Sequence, residues 1–429
     1  MRDDDAAADD PGLPRRTTER RDSRDWSRRG ALASFAAAGT VALAGCSLRA
    51  STSGVEPLWE REFATATAAG PPAATDEHVV VGGQDKRLHG FTADGERILS
   101  VETGGPIEAR PAVPTSGGPV HVHSTDGDLY TAGLSGERLW HVEGQARNGW
   151  LGRHGSLLVS IDPSDEAITG YDARDGTRRF QRSGSEYPAP VLSDSTSVFH
   201  VTNSDGDRKL VTLAPATGEV LWESQPRAVF PYVVAAGDRI VTVRRSTVRM
   251  RRARDGHVLW RTAVDGEVTS YFEPPVWLGE HVYVRIHRDD RSDELVAIER
   301  DGGAVRWRRA VGDELETVIA TSEGVFVASS VDDPDGGILI RLDAFDLDGT
   351  RRWQTTTDVA IGGTVEALGR AGELLFAASD TELAAYDPAT GNRRWRYDPA
   401  SRRLGVTTAD GALYVSQRDR GGIARLPTS

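Results

Sequence analysis

From residue 94 onward one short pattern recurs eight times, a tight-turn dipeptide with a large apolar residue four positions after its glycine. The copies are Asp94-Gly95 with Leu99, Ser135-Gly136 with Trp140, Asp175-Gly176 with Phe180 and Thr217-Gly218 with Trp222. They continue as Asp255-Gly256 with Trp260, Gly302-Gly303 with Trp307, Asp348-Gly349 with Trp353 and Thr390-Gly391 with Trp395. Successive glycines are 41, 40, 42, 38, 47, 46 and 42 residues apart, a period that fits one small β-sheet per copy. Ahead of each turn lie two strand-like runs, such as Val120-His121-Val122 then Leu129 to Ala132, or Val282-Tyr283-Val284 then Leu295 to Ile298. Hairpin signals such as Asp126-Gly127 and Asp205-Gly206 separate them. Glycine, 46 of 429 residues, supplies these turns.

The fixed spacing has a physical reading. Asp or Thr sets the turn through its own backbone, glycine takes the left-handed conformation, and the aromatic four residues on faces sideways into the wedge between neighbouring sheets. An indole buries some 150 to 250 Å² and offers its N–H to a backbone carbonyl. Trp59, Trp140, Phe180, Trp222, Trp260, Trp307, Trp353 and Trp395 are therefore expected to dock one blade on the next. Trp59 stands in an outer strand that lacks its blade, and Leu413-Tyr414-Val415 to Leu426 form a blade that lacks its outer strand. Pairing the two ends leaves no open edge. The expectation is an all-β protein, a single β-propeller of four-stranded blades over residues 57–429, closed by its N- and C-terminal strands. The repeat count gives nine blades, or eight if one copy is degenerate; the first is the candidate because Leu99 replaces the aromatic.

The preceding segment reads as an address. Residues 1 to 26 are polar and aperiodic, a disordered leader. Arg28-Arg29 then precedes an apolar run from Ala31 to Leu43 that ends in Leu43-Ala44-Gly45-Cys46, too short for a comfortable membrane span. The arginine pair resembles a twin-arginine export signal, and the tetrad resembles a lipobox whose cysteine is lipidated. Cys46 is the only cysteine, which excludes an intrachain disulfide. Residues 1–46 are thus expected to be leader and signal peptide, and residues 47–56 a flexible tether. The protein would be exported and lipid-anchored on the outer face of the cell membrane.

Charge narrows the partners. Asp and Glu number 64 against 51 Lys and Arg, a net charge of −13, and only Lys86 and Lys209 are lysines. Acidity with so little lysine is the habit of proteins from very salty cytoplasm and points to a haloarchaeal type. It disfavours a nucleic-acid partner.

The run Tyr386-Asp387-Pro388-Ala389-Thr390-Gly391-Asn392-Arg393-Arg394-Trp395 resembles the repeat of pyrroloquinoline-quinone enzymes and their non-enzymatic relatives. Among those relatives are lipid-anchored propellers, including one that supports assembly of outer-membrane barrels in bacteria. The quinone enzymes hold their cofactor beside a disulfide of adjacent cysteines, with a carboxylate base and a calcium site. Here Cys46 stands alone and no copy supplies a recognisable calcium set, so neither cofactor nor metal is expected, and only the scaffold role carries over.

Other chemistry is sparse. Asp332-Asp333-Pro334-Asp335, Asp205-Gly206-Asp207 and Asp126-Gly127-Asp128 cluster oxygens but lack calcium-loop spacing, and read as solvated hairpin tips. His121 and His123 would share one strand face, a zinc-like spacing without a third ligand. Arg244-Arg245 with Arg251-Arg252 forms a basic cluster, either a solvated strand face or a docking patch for an acidic partner. No nucleophile elbow is present, so no catalytic residue is assigned. The function expected is a non-enzymatic membrane-anchored surface lipoprotein, binding a protein or small ligand. The alternatives are a quinoprotein dehydrogenase or a hydrolase with its site in the propeller funnel.

Overall fold

All eight turn glycines have φ between +67° and +92°, the left-handed region that side chains resist. They belong to a computed structural model that describes residues 54–429 apart from short segments, the longest being 184–190, 225–231, 267–275 and 358–364. Arg28, Arg29 and Cys46 lie outside the described residues.

The described strands form nine antiparallel sheets, eight of four strands and one of three. In chain order they cover residues 73–102, 120–142, 150–183, 191–223, 232–263, 276–310, 314–357, 367–397 and 404–426, here sheets 1 to 9. Within each of them strands follow one another in sequence order. Sheet 9 takes its fourth strand from the other end of the chain: Trp59–Glu62 pairs antiparallel with Gly422–Leu426, with Trp59 opposite Arg425 and Glu62 opposite Gly422. The first strands of sheets 3 to 9 are successive neighbours, and Leu404–Ala409 of sheet 9 neighbours Ala73–Ala74 of sheet 1. These first strands are the inner ones.

The copy that departs from four strands is the second, not the first. Sheet 1 is complete around Leu99, which is buried against Val120 and Val122 of sheet 2. Sheet 2 has Val120–His123, Leu129–Ala132 and Arg138–Val142, and its inner strand shrinks to one bridge between Ala112 and His121. The cause is local: Pro106, Pro111, Pro114 and Pro119 remove the N–H groups a ladder needs.

A second feature explains the glycine-to-aromatic spacing. In every sheet from 1 to 8 the last strand holds one extra residue just before the docking residue, Leu99 in sheet 1 and an aromatic in the rest, a β-bulge. Those residues are Ile98, Leu139, Arg179, Leu221, Leu259, Arg306, Arg352 and Arg394. The bulge twists the strand so that the aromatic faces the next sheet, and it blunts an exposed edge. Where the bulged residue is arginine, it pairs with an acid at the end of the third strand or one residue past it: Arg179 with Asp172, Arg306 with Glu299, Arg352 with Asp346, Arg394 with Asp387. Where it is apolar, that position is Thr92, Gly133, Ala214 or Arg252.

The apolar core is divided rather than central. Nine clusters of buried residues each lie between two neighbouring sheets, from Val79, Val81 and Phe91 of sheet 1 against Tyr414 and Ile423 of sheet 9, round to Leu374 and Phe376 of sheet 8 against Leu413 and Val415 of sheet 9. The smallest, Leu210, Val233, Ile240 and Ala253, joins sheets 4 and 5. Part of the segment expected as a tether is seated: Gly54 bridges to Arg396, the Val55 N–H donates to the Arg396 carbonyl at 2.9 Å, and Val55 packs on the cluster that contains Trp395.

Candidate functional site

The seams between sheets share one clasp, and its exceptions locate the candidate site. Each docking aromatic lies on the turn glycine of the following sheet. A β-carbon on Gly349 would stand 2.6 Å from the Trp307 ring, and one on Gly391 would stand 2.6 Å from Trp353. The indole N–H then reaches a carbonyl of the same turn: Trp59 to Ala93 at 2.7 Å, Trp260 to Arg300 at 2.6 Å, Trp307 to Leu347 at 2.9 Å and Trp353 to Pro388 at 2.8 Å. Two residues after the aromatic a second donor grips the glycine carbonyl, Arg61 to Gly95, Arg182 to Gly218, Thr262 to Gly303 and Arg309 to Gly349. Nothing in the sequence marks this second donor, because its arginines are lost in a total of 49, the chain having 51 basic residues of which two are lysine.

Five seams depart from it. Gly136 has no ring over it, since Leu99 stands in that copy. Trp140 is half-buried and its N–H has no acceptor. Trp395 is buried but also lacks an acceptor, because sheet 9 has no turn there, and Gly54 and Val55 lie alongside. The largest departures flank sheet 4. On one side Phe180 replaces tryptophan and brings no N–H. On the other Trp222 is only half-buried, Ser224 stands where the gripping donor belongs, and Arg251 caps the ring instead at 5.4 Å and donates to Gly256.

Beside Phe180 the thinner seam opens into a pocket of about 370 Å³ between sheets 3 and 4. Ile168, Val211 and Leu213 give it an apolar floor. Gln181, Arg182, Val220 and Glu223 form its rim. Arg182 is held by the Gly218 carbonyl, and Glu223 is paired with Lys209 at 3.4 Å. Among the described residues no histidine, serine or cysteine lines it, and the one carboxylate among them, Glu223, already has a counter-charge. The geometry suits a side chain with an apolar body and a polar end, not bond cleavage.

The other predicted groups are placed as follows. His121 and His123 are both buried on Val120–His123; His121 Nδ1 meets Thr131 Oγ1 at 2.7 Å and His123 Nε2 meets Ser160 Oγ at 3.0 Å. Among the described residues no group of three or more His, Cys, Asp or Glu could hold a metal ion. Asp126 accepts from Asp128 N–H and from the Tyr130 hydroxyl at 2.7 Å, while Asp128 accepts from Gly144 N–H, so that tip is internally bonded. Asp205-Gly206-Asp207 and the Pro334-Asp335 pair lie outside the described residues, as do Arg245 and the side chain of Arg244. Arg251 is not on a solvated face: it is 8% exposed and serves the seam. Arg252 pairs with Asp255 at 2.8 Å.

Burial, aided by the charge of Arg153, holds the His121 imidazole down at about 3. The ordinary value is about 6.5, so the group stays neutral in the fold while the unfolded chain takes up a proton. Stability is therefore full above about pH 6.5 and falls as the pH drops towards 3, by about 1.4 kcal/mol per pH unit. Between pH 6.5 and 5 the wild type should lose about 2 kcal/mol more than His121→Gln, measured by denaturant unfolding. Parallel pH profiles for the two proteins would refute the assignment.

With this geometry in view, the family model described as outer membrane protein assembly factor BamB matches residues 50–162, 153–229 and 244–418. Among solved structures, BamB from Moraxella catarrhalis is similar at 14% identity and TM-score 0.51, covering 86% of this chain and 97% of its own. Sqt1 from Saccharomyces cerevisiae is similar at 12% identity and TM-score 0.51, covering 87% of this chain and 100% of its own. No curated protein matches the sequence. At such identities the structural likeness speaks for the propeller fold alone.

Proposed function

Because the chain belongs to the PQQ-type repeat family described as outer membrane protein assembly factor BamB, we propose that it is a non-enzymatic scaffold that docks a protein partner. The observation that carries this reading is the pocket between sheets 3 and 4, with an apolar floor, a charged rim and no reacting group among the described residues. The buried polar groups support it, since His121, His123 and Asp126 are engaged with neighbouring strands and turns. The propeller has nine blades, closed by Trp59–Glu62 on Gly422–Leu426. The inner strands running from sheet 9 to sheet 1 and the Arg110 donation to the Val406 carbonyl at 3.1 Å favour closure.

The scaffold is exported through Arg28-Arg29 and held on the outer face of the cell membrane by a lipid on Cys46. Among the described residues no helix is long and apolar enough to cross a membrane. The acidic, lysine-poor surface suits a haloarchaeal cell. It works without a quinone or a metal.

Two changes test the proposal together. Cys46→Ser should release the protein to the medium or leave it unprocessed, and Arg182→Glu with Val220→Glu should abolish the proteins co-purified with the wild type at high salt. Normal cleavage with unchanged membrane retention would defeat the anchor. Undiminished co-purification, or dehydrogenase turnover on adding quinone and calcium, would defeat the scaffold.

A further inference from the structure

Arginine holds this fold together, and two arginines on sheet 5 stand outside that use. Arg249, on Thr247–Arg252, lies directly opposite Arg261, on Val258–Ala263. Neither makes a hydrogen bond or an ion pair with any described residue, although Arg249 is half-buried. Directly opposed residues on adjacent strands have their β-carbons only about 5 Å apart, where like charges repel. Arg261 is exposed, and the partial burial of Arg249 adds a desolvation cost. A chain with 64 acidic residues has carboxylates to place there. None of the described ones is so placed.

The face is fixed by alternation. Arg251, two residues after Arg249, lies over the Trp222 ring of sheet 4. Arg249 and its partner Arg261 therefore turn toward the same seam between sheets 4 and 5, the one with the smallest apolar cluster. Its outer rim is apolar. Leu221, the bulged residue before Trp222 on sheet 4, is 39% exposed there.

We propose that this seam docks an acidic segment of a protein partner, whose carboxylates are taken by Arg249 and Arg261 and whose apolar side chain settles on Leu221. The assignment rests on the scaffold reading and names the chemistry of the partner. A guanidinium fork receives a carboxylate through two parallel N–H donations, and two forks side by side suit closely spaced carboxylates. The site is distinct from the pocket at Arg182, so the two can be varied separately.

The test uses the full chain and a fluorescein-labelled peptide of alternating Asp and Leu, with its Asn–Leu counterpart as control, followed by anisotropy at moderate salt. Wild type should bind the Asp–Leu peptide, and Arg249→Gln with Arg261→Gln should weaken that binding about tenfold or more. Without peptide the same double variant should melt no lower than wild type, because a repulsion is removed; a lower melting point would mean that the pair is structural and would overturn the site. Equal binding of the Asn–Leu peptide, unchanged affinity in the variant, or sulfate alone protecting as well as the peptide would also overturn it. Loss of this site with wild-type co-purification intact would leave the scaffold reading standing.

Discussion

Trp307→Ala is expected to destabilise the protein by about 3 to 5 kcal/mol, the range for deleting a buried aromatic. The indole is 6% exposed, donates to the Leu347 carbonyl, and has ring contacts to Tyr283 and Phe345 at centroid distances of 5.7 and 6.1 Å. Gly349→Val should reach a similar loss by another route. At φ +84° a branched side chain is strained, and its β-carbon would enter the ring. The two changes share one contact, so they should not add: in the Trp307→Ala background Gly349→Val should cost only the backbone strain, about 1 to 2 kcal/mol. Additive losses in urea unfolding, or a Trp307→Ala loss under about 1 kcal/mol, would mean the clasp does not carry the seam. Trp222→Ala is the comparison of choice, since its half-buried ring should cost less.

Asp293→Ala should cost about as much, about 3 to 5 kcal/mol, for a different reason. Its carboxylate has no exposure and joins sheets 6 and 7: Arg285 donates at 2.7 Å, His287 Nδ1 stands at 2.9 Å, and the Leu315 N–H donates at 2.8 Å. Truncation leaves the Arg285 guanidinium, 10% exposed, without its buried counter-charge. Replacing both partners by apolar residues, Arg285→Met with Asp293→Leu, should recover most of the loss, because a well-packed apolar pair often matches a buried ion pair. If the double variant is no better than Asp293→Ala, the carboxylate matters through Leu315 N–H and not through Arg285.

The repeat made the sheets legible, because each glycine and its aromatic mark a turn and a seam at fixed spacing. Trp59 ahead of the first copy likewise told of an outer strand without a sheet, which pairs with Gly422–Leu426. The copy that lost a strand was misread, since Leu99 drew attention to sheet 1 while the prolines between Pro106 and Pro119 acted on sheet 2. The bulges were invisible because a strand pattern does not record an extra residue. The basic run at Arg251-Arg252 was read as one patch, yet strand alternation sends those two side chains to opposite faces and leaves Arg249 with Arg261. For the pocket, Phe180 in place of tryptophan was the only signal. Asp293 gave none, since a buried carboxylate looks like any other acid in so acidic a chain.

Trp59–Glu62 and Gly422–Leu426 are partners almost a chain length apart. Sheet 9 therefore cannot be completed until synthesis has reached the last strand, and its ladder has the highest sequence separation among the described strands. Assembly of the other sheets can proceed locally, hairpin by hairpin, but the finishing step waits on a diffusive search by both termini. Until that step the outer edge of Gly422–Leu426 is a free template for a strand from another molecule, and crowded nascent chains would exchange first strands with one another.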